Sequence, residues 1–417
     1  MRVTLALILG RILRFAVRLV RPGGGSALPG LVVSKLIPDL AARAIGSLPK
    51  GLVIVTGTAG KSTTTKMLVA LVRAHGVTVF TNPSTANIEQ GFLSTIIKTG
   101  NVRGQIPGEI AIMEMDEGHA ASFVKQVQPR YSIILNVFDD QLDRFIDPAL
   151  VRDKLLLVAK ATKEKVFLNG DDQNCLIIDQ DLNTPTSYFG IDHSVGTLDY
   201  AETYLPRLDS PVKQSEVISH SGRKVTISSG IANCSFDLPN RGLHFALDAV
   251  AAIAAAQSIL GESFDVALAN KTMDELPPVF SRGEIKIVDG EEVEFILVQN
   301  PISMQLNLDN LDGNPEQIFF AIGRDVHDPS WMWTVDYSNL SHATIVSGFN
   351  YADAALVLRY NAIPVETVEP DYFNAIDTFF NLPKPKSGRK TVIYSADAMR
   401  RLRRYKGFTD PEDVKRV

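Results

Sequence analysis

The residues best suited to chemistry lie in one short stretch, Thr56–Ser62, which reads Thr-Gly-Thr-Ala-Gly-Lys-Ser. Its glycines let the backbone approach phosphate oxygens closely, and its lysine adds a positive charge. Its serine hydroxyl is an oxygen ligand of the kind that Mg²⁺ accepts. We therefore predict a site for a nucleoside triphosphate with Mg²⁺. The residues expected at the phosphates are Gly57, Thr58, Gly60, Lys61, Ser62 and Thr63.

The flanking sequence supplies the elements that such a loop needs. The apolar run Leu52–Val55 is typical of a buried strand, and apolar residues follow the loop at helical spacing. A loop between a strand and a helix presents backbone N–H groups at the positive end of the helix dipole. A glycine turn with a solvated lysine, the alternative, does not require this arrangement.

Acidic residues follow a second apolar run, Glu109–Met115, which also reads as a buried strand. In α/β sheets, ligands bind at the carboxyl ends of the strands, where these acids would lie. We predict that Glu114, with Ser62, binds Mg²⁺ directly or through water. For Asp116 two interpretations stay open, a metal ligand or the N-cap of the following helix.

Composition narrows the class of protein. A chain of 417 residues predicts two or three domains, and 45% hydrophobic residues are enough for large cores. The net charge of −5 and the pI near 5.9 argue against nucleic acid as a partner. Cys175 and Cys234, the two cysteines, form neither a disulfide framework nor a paired metal motif. A reducing cytoplasm is therefore expected.

Strand and helix patterns alternate along most of the chain, which predicts an α/β fold with a central doubly wound, mostly parallel sheet. Residues 46–278 form the predicted ATP-binding domain. Short alternating runs at about 184–237 predict a β-rich insertion in it. After the Pro277-Pro278 pair, residues 279–417 form a smaller C-terminal α/β domain.

The first 45 residues are basic and amphipathic, and no acidic residue precedes Asp39. Arginines interrupt the apolar runs, so neither a signal peptide nor a transmembrane span is expected. One interpretation is a helix that rests on an anionic membrane surface; the other is a helix packed on its own domain. The predicted polar face carries Arg11, Arg14, Arg18 and Arg21, and the apolar face carries Ile8, Ile12, Phe15 and Leu19.

Several segments together resemble a known family. In Mur ligase order the chain carries Thr56–Ser62, Met113–Glu117, Asn136–Arg144 and Leu168–Asp172. The basic, glycine-rich N-terminal part and the Ser-Trp-Met-Trp segment at 330–333 narrow the resemblance. The sequence is similar to the MurT family, the synthetase subunits of lipid II isoglutaminyl synthase.

This resemblance implies a function. Such subunits use ATP to convert the α-carboxylate of D-glutamate in lipid II into an acyl phosphate. A GatD-like glutaminase subunit, bound as a heterodimer, supplies ammonia, and the product is D-isoglutamine. The protein is expected in the cytoplasm, at the inner face of the membrane where lipid II lies. A stand-alone amino-acid ligase of the same superfamily is the alternative, and a nucleotide-binding scaffold without catalysis is a third reading.

The resemblance also assigns roles to single residues. Asp328, before Ser-Trp, would complete a triad with the partner's Cys–His pair, and Asp325 is the alternative. Lys61 and Glu114 are the other expected catalytic residues. Lys154 does not match the spacing of the family's carbamylated lysine. The resemblance also implies contacts of Glu117 with Mg²⁺ and of Asn87 with the substrate. The nucleotide contacts that it implies are Asn169, Asp172 and Arg282, the last at the start of the C-terminal domain.

The sequence also departs from the family. Typical MurT proteins carry a four-cysteine zinc ribbon, but Tyr204–Leu208 stands where one cysteine pair is expected. We therefore predict no zinc site. Asparagines are common in the family where this chain has His244 and Asp248, so the adenine contacts stay open. The insertion must be held by its own packing, which we expect around Tyr188, Phe189, Val217 and Ile227.

Overall fold

The computed structural model describes residues 2–20, 27–82, 89–138, 148–198, 208–230, 232–277, 282–311, 313 and 315–408. These residues fold into two compact units. The first contains the described residues of 1–139, 147–239 and 243–276, and the second contains those of 240–242 and 277–417.

The first unit is built on a nine-stranded sheet. Its strands are β1 (Leu52–Thr56), β2 (Val79–Phe80), β3 (Ile110–Glu114), β4 (Tyr131–Ile134), β5 (Lys165–Asn169), β6 (Thr186–Ile191), β7 (Ser215–Ser221), β8 (Lys224–Ser228) and β9 (Asn233–Asp237). Their spatial order is β2-β3-β1-β4-β5-β6-β7-β8-β9. All pairs from β2 to β7 are parallel, and β7-β8-β9 is antiparallel.

Helices pack against this sheet. They are α1 (Arg2–Val20), α2 (Ala27–Leu36), α3 (Leu40–Gly46), α4 (Lys61–Ala74), α5 (Glu89–Thr99), α6 (Glu117–Phe123), α7 (Pro148–Ala161), α8 (Gln173–Gln180), α9 (Leu243–Leu260) and α10 (Val266–Asp274). The stretch Leu243–Ser263 is apolar enough to cross a membrane, but 72% of its most apolar window is buried inside the protein. Its alanines let α9 lie close against α4, so it is a core helix.

The second unit has its own six-stranded sheet. Its strands are β10 (Arg282–Val288), β11 (Glu291–Leu297), β12 (Ile318–Ile322), β13 (Ala343–Gly348), β14 (Val365–Val368) and β15 (Lys390–Tyr394), in the spatial order β10-β11-β15-β12-β13-β14. The pair β10-β11 is antiparallel and the other pairs are parallel. Its helices are α11 (Pro301–Asp309), α12 (Tyr351–Tyr360), α13 (Tyr372–Phe380) and α14 (Ala396–Tyr405), with a 3₁₀ turn at Pro329–Thr334.

The predicted fold class is confirmed: a large, mostly parallel sheet and a smaller C-terminal sheet, both flanked by helices. The segment predicted as a β-rich insertion does not form a sheet of its own. Its strands β6 to β9 continue the central sheet at one edge. Phe189, Val217 and Ile227 are fully buried in the core of the first unit, as expected, whereas Tyr188 is half-buried.

Besides this apolar packing, a buried ion cluster joins the edge strands to the sheet. The ammonium of Lys213 lies 2.7 Å from Asp171 Oδ1 and 3.6 Å from Glu216 Oε1, and it donates to Ile191 O at 2.7 Å. Its side chain is only 3% exposed. A Cβ on Gly190 would lie 2.4 Å from Asp171 Oδ2, so only glycine fits beside the pair. The cluster fixes the loop after β5 against the strands that follow β6.

We predict that Lys213→Met destabilises the first unit because it leaves the carboxylate of Asp171 partly buried without its cation. Breaking a buried pair in this way costs about 3 kcal/mol or more in the free energy of unfolding. Urea unfolding of the full chain measures the change. Lys224→Met, at an exposed position on β8, is the matched control and should change stability by less than about 0.5 kcal/mol. Equal effects of the two substitutions would show that apolar packing alone holds these strands.

Candidate active site

The glycine loop follows the carboxyl end of β1, next to the residues that are expected to act with it. In the register of the sheet, Val55 lies opposite Glu114 on one side, and Thr56 lies opposite Ile134 on the other. Because the strands are parallel, the segments that leave their carboxyl ends meet at one edge. The loop after β1, the acid at the end of β3 and the segment after β4 therefore converge.

The two glycines of the loop are required by the backbone. Gly57 has φ 126° and Gly60 has φ 83°, conformations that other residues rarely adopt. A Cβ on Gly57 would lie 2.9 Å from Asn136 O, and one on Gly60 would lie 2.1 Å from Asp248 Oδ1. The sequence predicted that these glycines admit phosphate. The structure shows that they also leave space for the loop's own neighbours, the segment after β4 and the helix α9.

The side chain of Asn136 clamps the loop. Its Oδ1 accepts from Ala59 N at 2.8 Å, and its Nδ2 donates to Ala59 O at 3.2 Å. Its backbone O also accepts from Thr58 N at 3.1 Å. The hydroxyl of Thr58 in turn accepts from Phe138 N at 3.1 Å. The first half of the loop is thereby tied to the segment after β4.

The second half of the loop opens into α4 and is suited to bind an anion. Gly60 is the N-cap, no side chain caps it, and no acid lies in the first turn. The first backbone hydrogen bond of the helix runs from Thr64 N to Gly60 O at 3.0 Å. The amides that precede Thr64 therefore have no acceptor within the helix. These amides, with the helix dipole, form the positive region that phosphate oxygens favour.

Lys61 is folded back over the loop. Its ammonium donates to Gly57 O and, at 3.0 Å, to Thr58 O, and it lies 3.4 Å from Glu117 Oε1. Burial raises the pKa of Glu117, the charge of Lys61 opposes that rise, and the charge of Asp116 adds to it. The lysine is thus held beside the amides of the loop, where it can offset the charge of a phosphoryl group.

The hydroxyl of Ser62 and the carboxylate of Glu114 form the expected magnesium pair. Ser62 Oγ donates to Glu114 Oε1 at 2.9 Å, and both residues are buried. Asn82 fixes the backbone of Glu114 with two hydrogen bonds of 3.0 Å, to its O and from its N. Two oxygen donors beside a loop suited to phosphate fit Mg²⁺, which keeps several waters and phosphate ligands.

Other acids near the loop have structural roles in this structure. Asp116 is the N-cap of α6 and accepts from Gly118 N at 3.1 Å. Asp172 caps α8 and accepts from Val137 N at 2.9 Å, and burial raises its pKa to about 6. Asn169 donates to Leu135 O at 2.9 Å. Asn169 and Asp172 therefore hold the segment after β4, which carries Asn136.

The start of α9 also reaches the loop. Asp248 accepts from Thr64 Oγ1 at 3.3 Å and lies against Gly60, while the rings of His244 and Phe245 are tilted with their centroids 4.1 Å apart. Lys154 is half-buried on α7. Within the described ranges, no group of three or more His, Cys, Asp or Glu side chains could hold a metal, so the missing zinc site stays a prediction. Asn87, residues 139–144 and most of the segment 204–208 lie outside the described residues.

In the second unit the two candidate triad residues differ in their surroundings. Asp325 accepts from Ser395 Oγ at 2.7 Å, Ala396 N at 2.8 Å and Asp397 N at 3.0 Å, so it is bound to the start of α14. Asp328 is exposed and caps the 3₁₀ turn through Ser330 N at 2.9 Å. The hydrogen bonds from Ser330 lower the pKa of Asp328. The backbone of Arg282 begins β10.

Comparison with known families assigns both parts of the chain. Residues 55–256 match the Mur ligase middle domain, and residues 297–397 match the MurT ligase C-terminal domain. The chain carries a Mur ligase middle domain followed by a MurT-type C-terminal domain. The first match contains the glycine loop with Glu114 and Asn136, and the second contains Asp325 and Asp328.

A named relative matches most of the chain, and solved structures share its fold. The MurT subunit of lipid II isoglutaminyl synthase (glutamine-hydrolyzing) from Streptococcus pneumoniae is 26% identical to this chain over an alignment 415 residues long. The alignment covers 88% of this chain and 89% of that protein. The MurF ligase of Thermotoga maritima in complex with ADP has a TM-score of 0.65 at 18% identity, covering 90% of this chain and 82% of that one. A pseudomurein peptide ligase type C from Methanothermus fervidus has a TM-score of 0.66 at 18% identity, covering 90% and 83%.

Two residues of the site, Asn82 and Asn136, have no role predicted from the sequence, although Asn136 begins one of the family segments. Both residues follow the end of a parallel strand, the one signal that could have identified them. Their partners are distant in sequence, so the pairing itself is visible only in the folded chain.

We predict that Asn136→Ala weakens binding of a non-hydrolysable ATP analogue about thirtyfold, because it removes two hydrogen bonds of about 1 kcal/mol each that shape the loop. Calorimetric titration with Mg²⁺ measures the affinity. Asn374→Ala, which removes an exposed amide in the second unit, is the control and should bind as the wild type does. An unchanged affinity in Asn136→Ala would show that the loop keeps its shape without this clamp.

Proposed function

We propose that this MurT-like chain is the synthetase subunit of a two-subunit amidotransferase. With ATP and Mg²⁺ it amidates the α-carboxylate of D-glutamate in the stem peptide of lipid II, and it uses ammonia from a GatD-like glutaminase subunit. The observation that carries this proposal is the similarity to a named MurT subunit over almost the full length of both chains, including the C-terminal domain match. A stand-alone ligase of the superfamily offers no reason for that second match.

The site supports the use of ATP. A ligase with a similar fold was solved with ADP. In this chain the loop combines the first-turn amides of α4, which have no acceptor within the helix, with the ammonium of Lys61. Ser62 and Glu114 would hold Mg²⁺ beside the phosphates. Magnesium would supply positive charge that offsets the charge of the phosphoryl group during its transfer. Lys61, held over the loop by Gly57 O and Thr58 O, contributes a further positive charge.

The reaction needs such an arrangement because a carboxylate resists attack by an amine. One carboxylate oxygen attacks the terminal phosphorus of ATP, the bond to ADP breaks, and an acyl phosphate forms. Ammonia then adds to the acyl carbon, phosphate leaves with the C–O bonding electrons, and a proton is lost from nitrogen. The product is D-isoglutamine, the α-amide of D-glutamate. Residues Gly57 to Thr63 position the phosphates for the first step.

A partner is supported by the surface of the second unit. Asp328 is exposed at the start of the 3₁₀ turn, and the turn packs against α12. This region exposes several large apolar side chains, and aromatic residues are frequent energetic centres of protein interfaces. The ring of Trp333 meets that of Tyr360 at 5.2 Å. The exposed residues are Trp333, Phe349, Leu356 and Tyr360.

In this proposal Asp328, anionic because its pKa is lowered, orients the catalytic histidine of the glutaminase. Asp325 is the weaker candidate because both of its oxygens already accept hydrogen bonds inside the unit. The protein would work in the cytoplasm at the inner face of the membrane, where lipid II presents its stem peptide.

The direct test is to purify the chain with its glutaminase partner and assay amidation of lipid II with ATP and glutamine. The proposal expects amide formation with glutamine only in the presence of the partner, and with ammonium salts in its absence. Amino-acid addition by the isolated chain, without any use of ammonia, would favour the stand-alone ligase. Nucleotide binding without turnover of any of these substrates would favour a scaffold.

We predict that Lys61→Ala abolishes turnover with either nitrogen source, since the phosphoryl transfer step is common to both. A fall in kcat of at least about a hundredfold is expected from the loss of a positioned charge. Steady-state ADP release measures it. Lys66→Ala, in the same helix, is the control and should retain activity. Unchanged turnover in Lys61→Ala would refute the assignment of the phosphate loop.

We predict that Asp328→Asn lowers glutamine-dependent amidation by about a hundredfold or more and leaves ammonia-dependent amidation near the wild-type rate. The reason is that the asparagine cannot stabilise a histidinium in the partner, whereas the ligase site is unaltered. Asp353→Asn, at an exposed position on α12, is the control and should keep both activities. Equal loss of both activities in Asp328→Asn would refute the shared triad.

A further inference from the structure

The first helix has two apolar faces, and only one of them is covered within the first unit. Leu7 is fully buried, and a Cβ on Gly10 would lie 2.8 Å from Val33 on α2 and 3.1 Å from Ile97 on α5. Arg11 fixes the helix by donating to Ile97 O at 3.2 Å and to Gly100 O. The sequence interpretation of a helix packed on its own domain is correct for this face.

The opposite face of α1 is exposed and apolar over three turns. Leu5 and Ile12 are each 60% exposed and Phe15 is 67% exposed. The spacing of these residues follows the helical period, so they form one continuous stripe. We call it the α1 stripe, and it consists of Leu5, Ile8, Leu9, Ile12 and Phe15.

Charge indicates what such a stripe contacts. From residue 1 to residue 38 the sequence has basic residues but no acidic residue. Helix α2, which packs on α1, also exposes Leu28, Leu31 and Leu36, and Lys35 is exposed beside them. An apolar helix face in a segment whose charge is entirely positive matches an anionic lipid surface, because apolar side chains enter the acyl boundary and the anionic headgroups attract the positive charge. The basic residues are Arg2, Arg11, Arg14, Arg18, Arg21 and Lys35.

We propose that the α1 stripe anchors this chain on the surface of an anionic bilayer. The helix lies in the plane of the interface and does not cross it, since it remains packed on α2 and α5 through its other face. This anchoring does not depend on the reaction assigned above. It would confine the enzyme to the surface on which a lipid-linked substrate lies, which raises the encounter rate.

The test is co-sedimentation of the full chain with vesicles of phosphatidylcholine alone or with about one-third phosphatidylglycerol, without substrate or partner. We expect binding to the anionic vesicles that weakens with added salt, and little binding to the neutral ones. The double variant Ile12→Glu/Phe15→Glu should lower the partition coefficient by at least about tenfold. Val212→Glu, an exposed apolar position outside the helix, is the matched control and should bind as the wild type does.

Several results would overturn the proposal. They are no binding by the wild type, equal binding by the double variant, or equal binding to neutral and anionic vesicles. Loss of glutaminase co-purification in the double variant, with no vesicle binding by the wild type, would assign the stripe to a protein partner. Near-ultraviolet circular dichroism checks that the double variant is folded, and amidation with ammonia in detergent shows whether the ligase site is intact. A failure of the ligase assay with normal vesicle binding would reject the proposed function and leave the anchor standing.

Discussion

The rest of the site depends on the two hydrogen bonds between the side chain of Asn136 and the backbone of Ala59. They are possible because Gly57 has no side chain where the loop meets the segment after β4. With the first half of the loop fixed in this way, the amides at the start of α4 and the ammonium of Lys61 share one region. The same geometry brings Ser62 and Glu114 together. Glu114 ends β3, Ser62 begins the helix that follows β1, and β1 and β3 are neighbouring parallel strands.

Much of the fold could be predicted because its signals are local. Apolar runs and helical periodicity indicated most strands and helices, and strand–loop–helix order indicated the parallel sheet. The short edge strand Val365–Val368 was missed, because its two central residues are polar and exposed and leave little apolar signal. In the site, Lys61, Ser62 and Glu114 lie together as expected, but the clamps from Asn82 and Asn136 depend on partners far along the chain. The assigned roles of these residues stay predictions.

Apolar packing and a cluster of charged residues hold the edge strands of the first sheet. Cysteine content predicted that the usual zinc ribbon is missing, and the structure shows apolar packing and the buried Lys213 cluster in the described part of this region. Sequence could not indicate the cluster, because Lys213 and Asp171 are charged residues of a kind that normally stays in water. Their pairing depends on a glycine, Gly190, that leaves space for both side chains.

The most direct test of the account is a crystal structure of the chain with Mg²⁺ and a non-hydrolysable ATP analogue. The account predicts that the terminal phosphates lie against the amides of Gly60 to Thr63, with the metal between Ser62 Oγ and the carboxylate of Glu114 and with Asn136 still bound to Ala59. An analogue bound elsewhere, with this loop empty and unchanged, would contradict it.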